Sequence, residues 1–244
     1  MRLNIINSNS DGNCYLFTDN NGETLIVECG VRFDKIKQAL NFDLSNVVGC
    51  LVSHEHGDHC KGVKDAVKSG IDIYATSGTI NGFRFDHHRL NPVQKGKAFK
   101  LGSFGVIAFD THHDVNEPCG FLIKHEEMGT TLFLTDTIYC DYSFPGLNNV
   151  LIEANYSQDI IDEKLSSNRF LRNRVIQSHM SVETAIKTLK ANDLTKVNNI
   201  VLIHLSDRNS DAKVFKKRIE DATLKTVTIA TSGLTIDNFN IYPF

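Results

Sequence analysis

At the end of the apolar run Val47-Val48-Gly49-Cys50-Leu51-Val52 stands the segment His54-Glu55-His56-Gly57-Asp58-His59. Three of its six residues carry an imidazole and one the carboxylate Asp58, with Glu55 between the first two histidines. Imidazole nitrogen and carboxylate oxygen suit Zn²⁺, Mn²⁺ or Fe²⁺, and a set this dense on a loop can serve two ions. A chance cluster of surface histidines would have no reason to follow a buried strand. The segment therefore reads as a metal site, and as a catalytic one.

More residues of this chemistry follow strand-like runs downstream. His113 stands in Thr111-His112-His113-Asp114, Asp136 in Leu134-Thr135-Asp136-Thr137, and His204 in Leu202-Ile203-His204-Leu205-Ser206. Between the last two are Glu153, after Leu151-Ile152, and His179, in Gln177-Ser178-His179-Met180. Ligands at the carboxyl ends of strands converge on one edge of a sheet, where loops can hold an open site. A carboxylate that holds one nitrogen of a histidine favours the protonated ring, so Glu153 and His179 are candidates for delivering a proton to a leaving alkoxide. The alternative is a hydrogen bond that serves the fold alone.

The elements that must carry these residues are short. Apolar runs rich in Val, Ile, Phe and Thr recur at Leu3–Ile6, Cys14–Thr18, Thr24–Val27, Val47–Val52, Ile71–Ala75, Phe104–Phe109, Gly120–Ile123 and Thr131–Thr135. Four more lie at Val150–Glu153, Ile200–Leu205, Thr226–Ala230 and Leu234–Ile236. Each is bounded by Gly, Asn or Asp, as strands are. Helical spacing marks Phe33–Leu40, Lys61–Lys68, Val182–Leu189 (with Ser181 as its N-cap) and Ala212–Ile219, and a mixed helical pattern covers Ser157–Gln177. Cys60 would begin the second of these and point away from the metal. Strands followed by helices in two broad halves predict an α/β fold, with two sheets packed together and helices outside.

Bulk properties set the bounds. With 244 residues and 41% hydrophobic composition, the chain can bury roughly 70–75% of its unfolded surface, and no linker or repeat divides it. The net charge of −3 gives no global signature of nucleic-acid binding, though it allows a local basic patch. The six cysteines include no C-x-x-C pair and read as buried free thiols in a reducing compartment. No basic-plus-apolar leader opens the sequence and no apolar run approaches the ~18–20 residues of a membrane span, so the expectation is a soluble cytoplasmic protein with no membrane contact.

In order and spacing these residues resemble the metallo-β-lactamase superfamily over nearly the whole chain. His54, His56, Asp58 and His59 match its H-x-H-x-D-H signature, and Glu28-Cys29-Gly30 resembles its acidic-x-Gly turn. The resemblance implies a single domain over 1–244, a four-layer αβ/βα sandwich of two mixed sheets with helices outside. It also implies two divalent ions, Zn²⁺ or Mn²⁺. One would take His54, His56 and His113, the other Asp58, His59 and His204, with Asp136 bridging and Asp58 also orienting a water. The tail is similar to ribonuclease Z, and more so to YycJ-type (WalJ-type) exonuclease-like proteins. That likeness rests on Gly12-Asn13, His113-Asp114-Val115-Asn116-Glu117-Pro118, Asp136-Thr137-Ile138-Tyr139 and His204-Leu205-Ser206. No segment leaves room for the tRNA-gripping arm of ribonuclease Z or for a β-CASP insertion, and Ser178 replaces the YycJ-type glycine before the late histidine.

The function implied is hydrolysis of a phosphodiester by metal-bound hydroxide, since two ions about 3.5–4 Å apart can activate water and clamp both the attacking and leaving oxygens. The leading substrate is nucleic acid, as for a YycJ-like exonuclease, and the alternative is a cyclic nucleotide. Hydrolysis of a lactone, β-lactam or thioester stands further off, for want of an export leader, a cysteine ligand or a helical glutathione domain. A non-catalytic metal module would show a degraded ligand set, whereas all seven positions are filled. Ser206, Arg208 and Asn209 are candidates for contact with a phosphate. Arg169, Arg172 and Arg174 form a basic segment that is also what a solvated helix face looks like. His87, His88, His112 and His125 read as ordinary surface or hydrogen-bonding residues, and the resemblance leaves a homodimer open.

Overall fold

The structure is a computed structural model that describes residues 1–242. In chain order its elements are β1 (Arg2–Asn9), β2 (Gly12–Thr18), β3 (Thr24–Val27), α1 (Phe33–Ala39), β4 (Val47–Leu51), α2 (Gly57–Cys60), α3 (Val63–Lys68), β5 (Ile73–Thr76), α4 (Ser77–Gly82) and β6 (Leu90–Val93). The second half continues with β7 (Ala98–Leu101), β8 (Phe104–Asp110), β9 (Cys119–His125), β10 (Gly129–Leu134), β11 (Leu147–Glu153), α5 (Gln158–Lys164), α6 (Arg169–Ser178), α7 (Val182–Lys190), β12 (Asn199–Ile203), α8 (Ala212–Thr223), β13 (Val227–Ile229) and β14 (Thr235–Ile236).

Two seven-stranded mixed sheets result, in the orders β14-β1-β2-β3-β4-β5-β6 and β13-β12-β11-β10-β9-β8-β7. In each, an antiparallel part gives way to a parallel one: β3 to β6 in the first sheet and β10 to β13 in the second. Strands with both faces covered must be apolar on both sides, and alternation then sorts side chains between two layers. Leu25, Val27 and Leu51 face Phe121, Phe133 and Leu151 across the central core. Ile26, Cys50 and Val52 turn outward onto Phe33, Ile36 and Val67 of α1 and α3. On the far side Leu132, Val150 and Leu202 turn onto Ala185 and Leu189 of α7 and Phe215 and Ile219 of α8. This is the predicted helix–sheet–sheet–helix sandwich.

Two strands escaped the sequence pattern, β6 and β7, and each is the edge of its sheet. An edge strand needs only one satisfied side, so β6 tolerates Pro92 and carries little alternation. The expected helix Lys61–Lys68 divides differently. Cys60 closes α2 instead of opening the next helix, and α3 starts at Val63. Gly62 lies at the break, where its N–H donates to the Cys29 carbonyl and a Cβ would stand 2.6 Å from the Val31 oxygen. The cysteines are free thiols, and Cys14, Cys29, Cys50 and Cys119 are buried. Among the described residues no helix is long and apolar enough to cross a membrane.

Candidate metal centre

The parallel strands of both sheets end at one rim, and the polar residues of the sequence pattern lie there. The loop after β4 carries His54 and His56 into α2, which holds Asp58 and His59. Asp136 follows β10, Glu153 ends β11 and His204 follows β12. His113 lies between β8 and β9, and His179 directly after α6. Glu28, Asp136 and His204 have positive φ (66°, 42° and 52°), a backbone region that non-glycine residues enter at a cost and that clusters at functional sites. Beside them, Gly30 is required sterically: a Cβ there would stand 1.6 Å from the Asp58 carbonyl oxygen.

Three overlapping sets of side chains gather here. They are His54, His56 and His113; Asp58, His59, Asp136 and His204; and Asp136, Glu153, His179 and His204. In each, the ligand atoms lie within 4.8 Å of one another. His113 Nδ1 donates to the Ser178 carbonyl at 2.7 Å, which fixes its tautomer and turns Nε2 toward His56 Nδ1, 3.1 Å away. In the second set His204 Nε2 is 3.1 Å from Asp58 Oδ2. One atom, Asp136 Oδ2, faces both, at 2.6 Å from His59 Nε2 and 3.5 Å from His54 Nε2.

These donors fit divalent cations. Bonds of about 2.0–2.1 Å put neighbouring ligand atoms about 2.8–3.4 Å apart for angles at the metal between about 90° and tetrahedral, a span that includes the 3.1 Å His56–His113 and Asp58–His204 contacts. His54 Nε2 and Asp136 Oδ1 are buried without a hydrogen-bond partner, a costly state that a cation would relieve. The third set is different in kind. Glu153 Oε1 accepts from His179 Nδ1 at 2.8 Å, and Oε2 accepts from the backbone N–H of Met180 and Thr137, at 3.1 and 3.3 Å. Both its oxygens are thus engaged by the protein. Asp136 Oδ1 is also close to His179 Nδ1, at 2.9 Å, but too poorly aligned to accept from it.

In the ion-free protein these neighbours split the histidines by charge. Burial holds His54 well below the usual imidazole range, with the nearby histidines adding to the effect, and His113 is lowered for the same reasons. Burial also works against a charge on His59, His179 and His204, but there the carboxylates win. Asp136 and Glu28 raise His59, Glu153 and Asp136 push His179 up to about 10, and Asp136 and Asp58 push His204 up to about 9. Burial would raise Asp58, yet its hydrogen bonds with His204 and His59 hold it far below the carboxylate range.

Sequence reasoning missed the residues that aim the ligands. Ser53 Oγ is 2.9 Å from His54 Nδ1, Glu28 Oε2 is 3.3 Å from His59 Nδ1, and Asn13 Nδ2 reaches the Asp58 carbonyl at 3.3 Å. Asn155 Nδ2 donates to the His204 carbonyl at 3.0 Å. Each lies in or beside a motif that the sequence already showed, so adjacency was the available signal. Partners of this type fix the orientation of ligands and tune their basicity.

A cleft of about 410 Å³ opens over the centre, lined by His56, Asp58, His113, His179 and His204 and also by Arg174, Ser206 and Asn209. His112 is not part of the cluster: its ring stacks on Tyr139 and its Nε2 is 2.5 Å from Asp141 Oδ2. Cys60 Sγ donates to the Glu55 carbonyl. His87 and His88 stack on each other and His125 packs on Phe104, away from the cleft. Arg172 is paired with Asp162, and Arg208 is exposed outside the cleft lining.

Two sheets that meet at a rim of histidines and carboxylates define an αβ/βα metallohydrolase. The chain belongs to the β-lactamase superfamily, whose domain model matches residues 26–205. It is 26% identical to "Exodeoxyribonuclease WalJ" of Streptococcus pneumoniae serotype 2 over 99% of this chain and 93% of that protein. It is 27% identical to "Exodeoxyribonuclease YycJ" of Bacillus anthracis over 86% of this chain and 84% of the relative. Among solved structures, the metallo-β-lactamase fold protein YhfI from Bacillus subtilis superposes with a TM-score of 0.72 at 18% identity, covering 97% of this chain and 98% of YhfI.

Proposed function

We propose that this protein is a two-metal phosphodiesterase that shortens DNA from a strand end. His54, His56 and His113 would hold one ion and Asp58, His59 and His204 the other, and Asp136 is the residue that faces both sets. Zn²⁺ and Mn²⁺ both suit this donor set. When bound, the ions supply Lewis acidity: they make a water acidic and offset the charge of the phosphodiester.

The chain's own residues do the rest. Asp58 is partly exposed to the cleft and is held ionised, so it can accept a hydrogen bond from the attacking water and orient it, while the proton that the water loses passes to bulk solvent. As the new P–O bond forms, the bond to the leaving alkoxide breaks, and that oxygen needs a proton. His179 lines the cleft, with Nδ1 held by Glu153 and Nε2 left to donate. This is the observation that carries the reading. Ester and lactam chemistry makes less use of a carboxylate-held histidine beside the metals, and the names of the two relatives favour DNA.

Residues 1–244 act as one hydrolase domain in this reading, because the cleft takes residues from the β4 loop of one sheet and from the rim of the other. The buried free thiols support a reducing compartment such as the cytoplasm. The test is product analysis with metal-loaded protein, end-labelled single-stranded DNA and RNA, and 3′,5′-cyclic nucleotides, alongside the Asp58→Ala, His59→Ala double variant. Shortened strands, absent with the variant, support the reading and show the direction of attack. Nucleoside monophosphates from the cyclic substrates, with strands intact, replace it by a signalling-nucleotide phosphodiesterase.

A further inference from the structure

The helix α6 is unusual for this protein. Its ten residues, Arg-Phe-Leu-Arg-Asn-Arg-Val-Ile-Gln-Ser, include three arginines and no acid, on a chain of net charge −3. Leu171, Arg174, Val175 and Ser178 line the cleft over the metal centre, and their spacing of three, four and seven residues places them on one helix face. Val175 anchors that face, buried with Ile161 and Tyr156. Arg172 is neutralised by Asp162, at 2.6 Å. Arg174 makes no ion pair among the described residues, so its guanidinium is free to meet a ligand at the cleft wall. One turn before it, at i−4, Phe170 is 82% exposed and neighbours Arg174 on the helix surface, at the border of the face that lines the cleft. A lone exposed phenylalanine needs no explanation. One in register with an unpaired arginine on an active-site wall does.

We propose that Phe170 and Arg174 form the strand-holding site of this protein: one base of a single-stranded DNA end stacks on Phe170, and Arg174 grips a phosphate beside the scissile one. The inference rests on the phosphodiesterase reading and names what that reading leaves open, the means of grip without a protruding arm. A nucleic-acid strand repeats a flat apolar base and an anionic phosphate at each step, and the helix offers one group for each. Base–aromatic stacking tolerates any sequence, while a guanidinium can take a phosphate through two hydrogen bonds. The cationic wall also offsets the repulsion that an acidic protein presents to DNA.

The experiment compares wild type, Phe170→Ala and Arg174→Gln, each metal-loaded and each checked for an unchanged melting temperature. Binding of a fluorescent, phosphorothioate-linked single-stranded oligonucleotide is measured by anisotropy across a salt series. Turnover is measured on single-stranded DNA and on bis(p-nitrophenyl) phosphate, which is too small to reach Phe170. Phe170→Ala should weaken binding about 5- to 150-fold, the range for one lost stack, with the salt dependence unchanged. Arg174→Gln should reduce the log–log salt slope by about 0.7, the contribution of one phosphate contact on a single strand. For both variants the ratio of kcat/KM on DNA to that on the small diester should fall, through KM.

If wild type cleaves DNA and both variants match it in affinity and salt slope, the strand-holding site is overturned and the phosphodiesterase reading stands. Parallel losses on both substrates at the same salt slope would show a structural role and also overturn it. If wild type hydrolyses the small diester but neither binds nor cleaves DNA, the DNA reading fails and this site fails with it.

Discussion

His179 Nδ1 lies 2.8 Å from Glu153 Oε1, and the carboxylate it meets is completely buried. Glu153 ends a central strand and is pinned by two backbone N–H groups through its other oxygen. It is therefore a fixed acceptor, and the histidine ring turns to suit it. This arrangement gives a histidine at the cleft one defined orientation. It also sets the proposed proton donor apart from the seven proposed metal ligands, although all sit within one cluster.

Removing the ring should separate chemistry from metal binding. His179→Ala is expected to retain wild-type metal content by elemental analysis and to lose about 10²- to 10⁴-fold in kcat on DNA, the usual contribution of a positioned acid. Loss of metal in proportion to activity would make His179 a ligand instead.

Glu28 Oε2 lies 3.3 Å from His59 Nδ1, and its carboxylate also accepts from the Ser53 backbone N–H beside His54. Glu28→Gln should weaken metal binding about 10- to 100-fold in competition with a chelator, as for other partners of ligating histidines. Asp136→Ala removes the one oxygen that faces both ligand sets, and its loss of affinity should exceed that of Glu28→Gln. Equal effects would refute the bridging position.

Metal binding should release protons at neutral pH. Without ions, His59 is raised and His204 is pushed up to about 9, so both rings are charged at pH 7, and a cation taking a ring nitrogen displaces that proton. His54 and His113 are lowered and contribute none. The raised groups favour the ion-free state below their pKa, so apparent affinity should climb as pH rises from about 6 toward 9. Calorimetry in buffers of different ionisation heat should find release of about one to two protons at pH 7. No buffer dependence would contradict the charge assignment.

Gly30→Ala tests the turn that seats α2. The new Cβ would meet the Asp58 carbonyl carbon at 2.2 Å as well as its oxygen, and backbone on both sides cannot yield cheaply. Denaturant unfolding should show a loss of about 3 kcal/mol or more, together with weakened metal binding through Asp58.

The residues of the candidate metal centre were legible in the sequence because each follows an apolar run whose period is short and whose end is marked. Strand ends at one rim then bring His54, Asp136 and His204 together whatever the loops do. The edges β6 and β7 were not legible, since a half-paired strand carries half the pattern. Nor was the break between α2 and α3, where the approach of Cys29 and Val31 overrides helical spacing at Gly62. Ser53, Asn13 and Asn155 act through hydrogen bonds that only the folded backbone creates. The resemblance to the metallo-β-lactamase superfamily, carried by the same residues, agrees with the match over residues 26–205.

The most direct test of the Glu153–His179 assignment varies the leaving group. Wild type and His179→Ala, both fully metal-loaded, would be assayed on single-stranded DNA and on thymidine 5′-p-nitrophenyl phosphate, whose phenolate leaves without a proton. An acid at His179 predicts the loss of about 10²-fold or more on DNA and little loss on the activated ester. Equal losses on both substrates would contradict it and leave His179 with a role in holding the substrate or the fold.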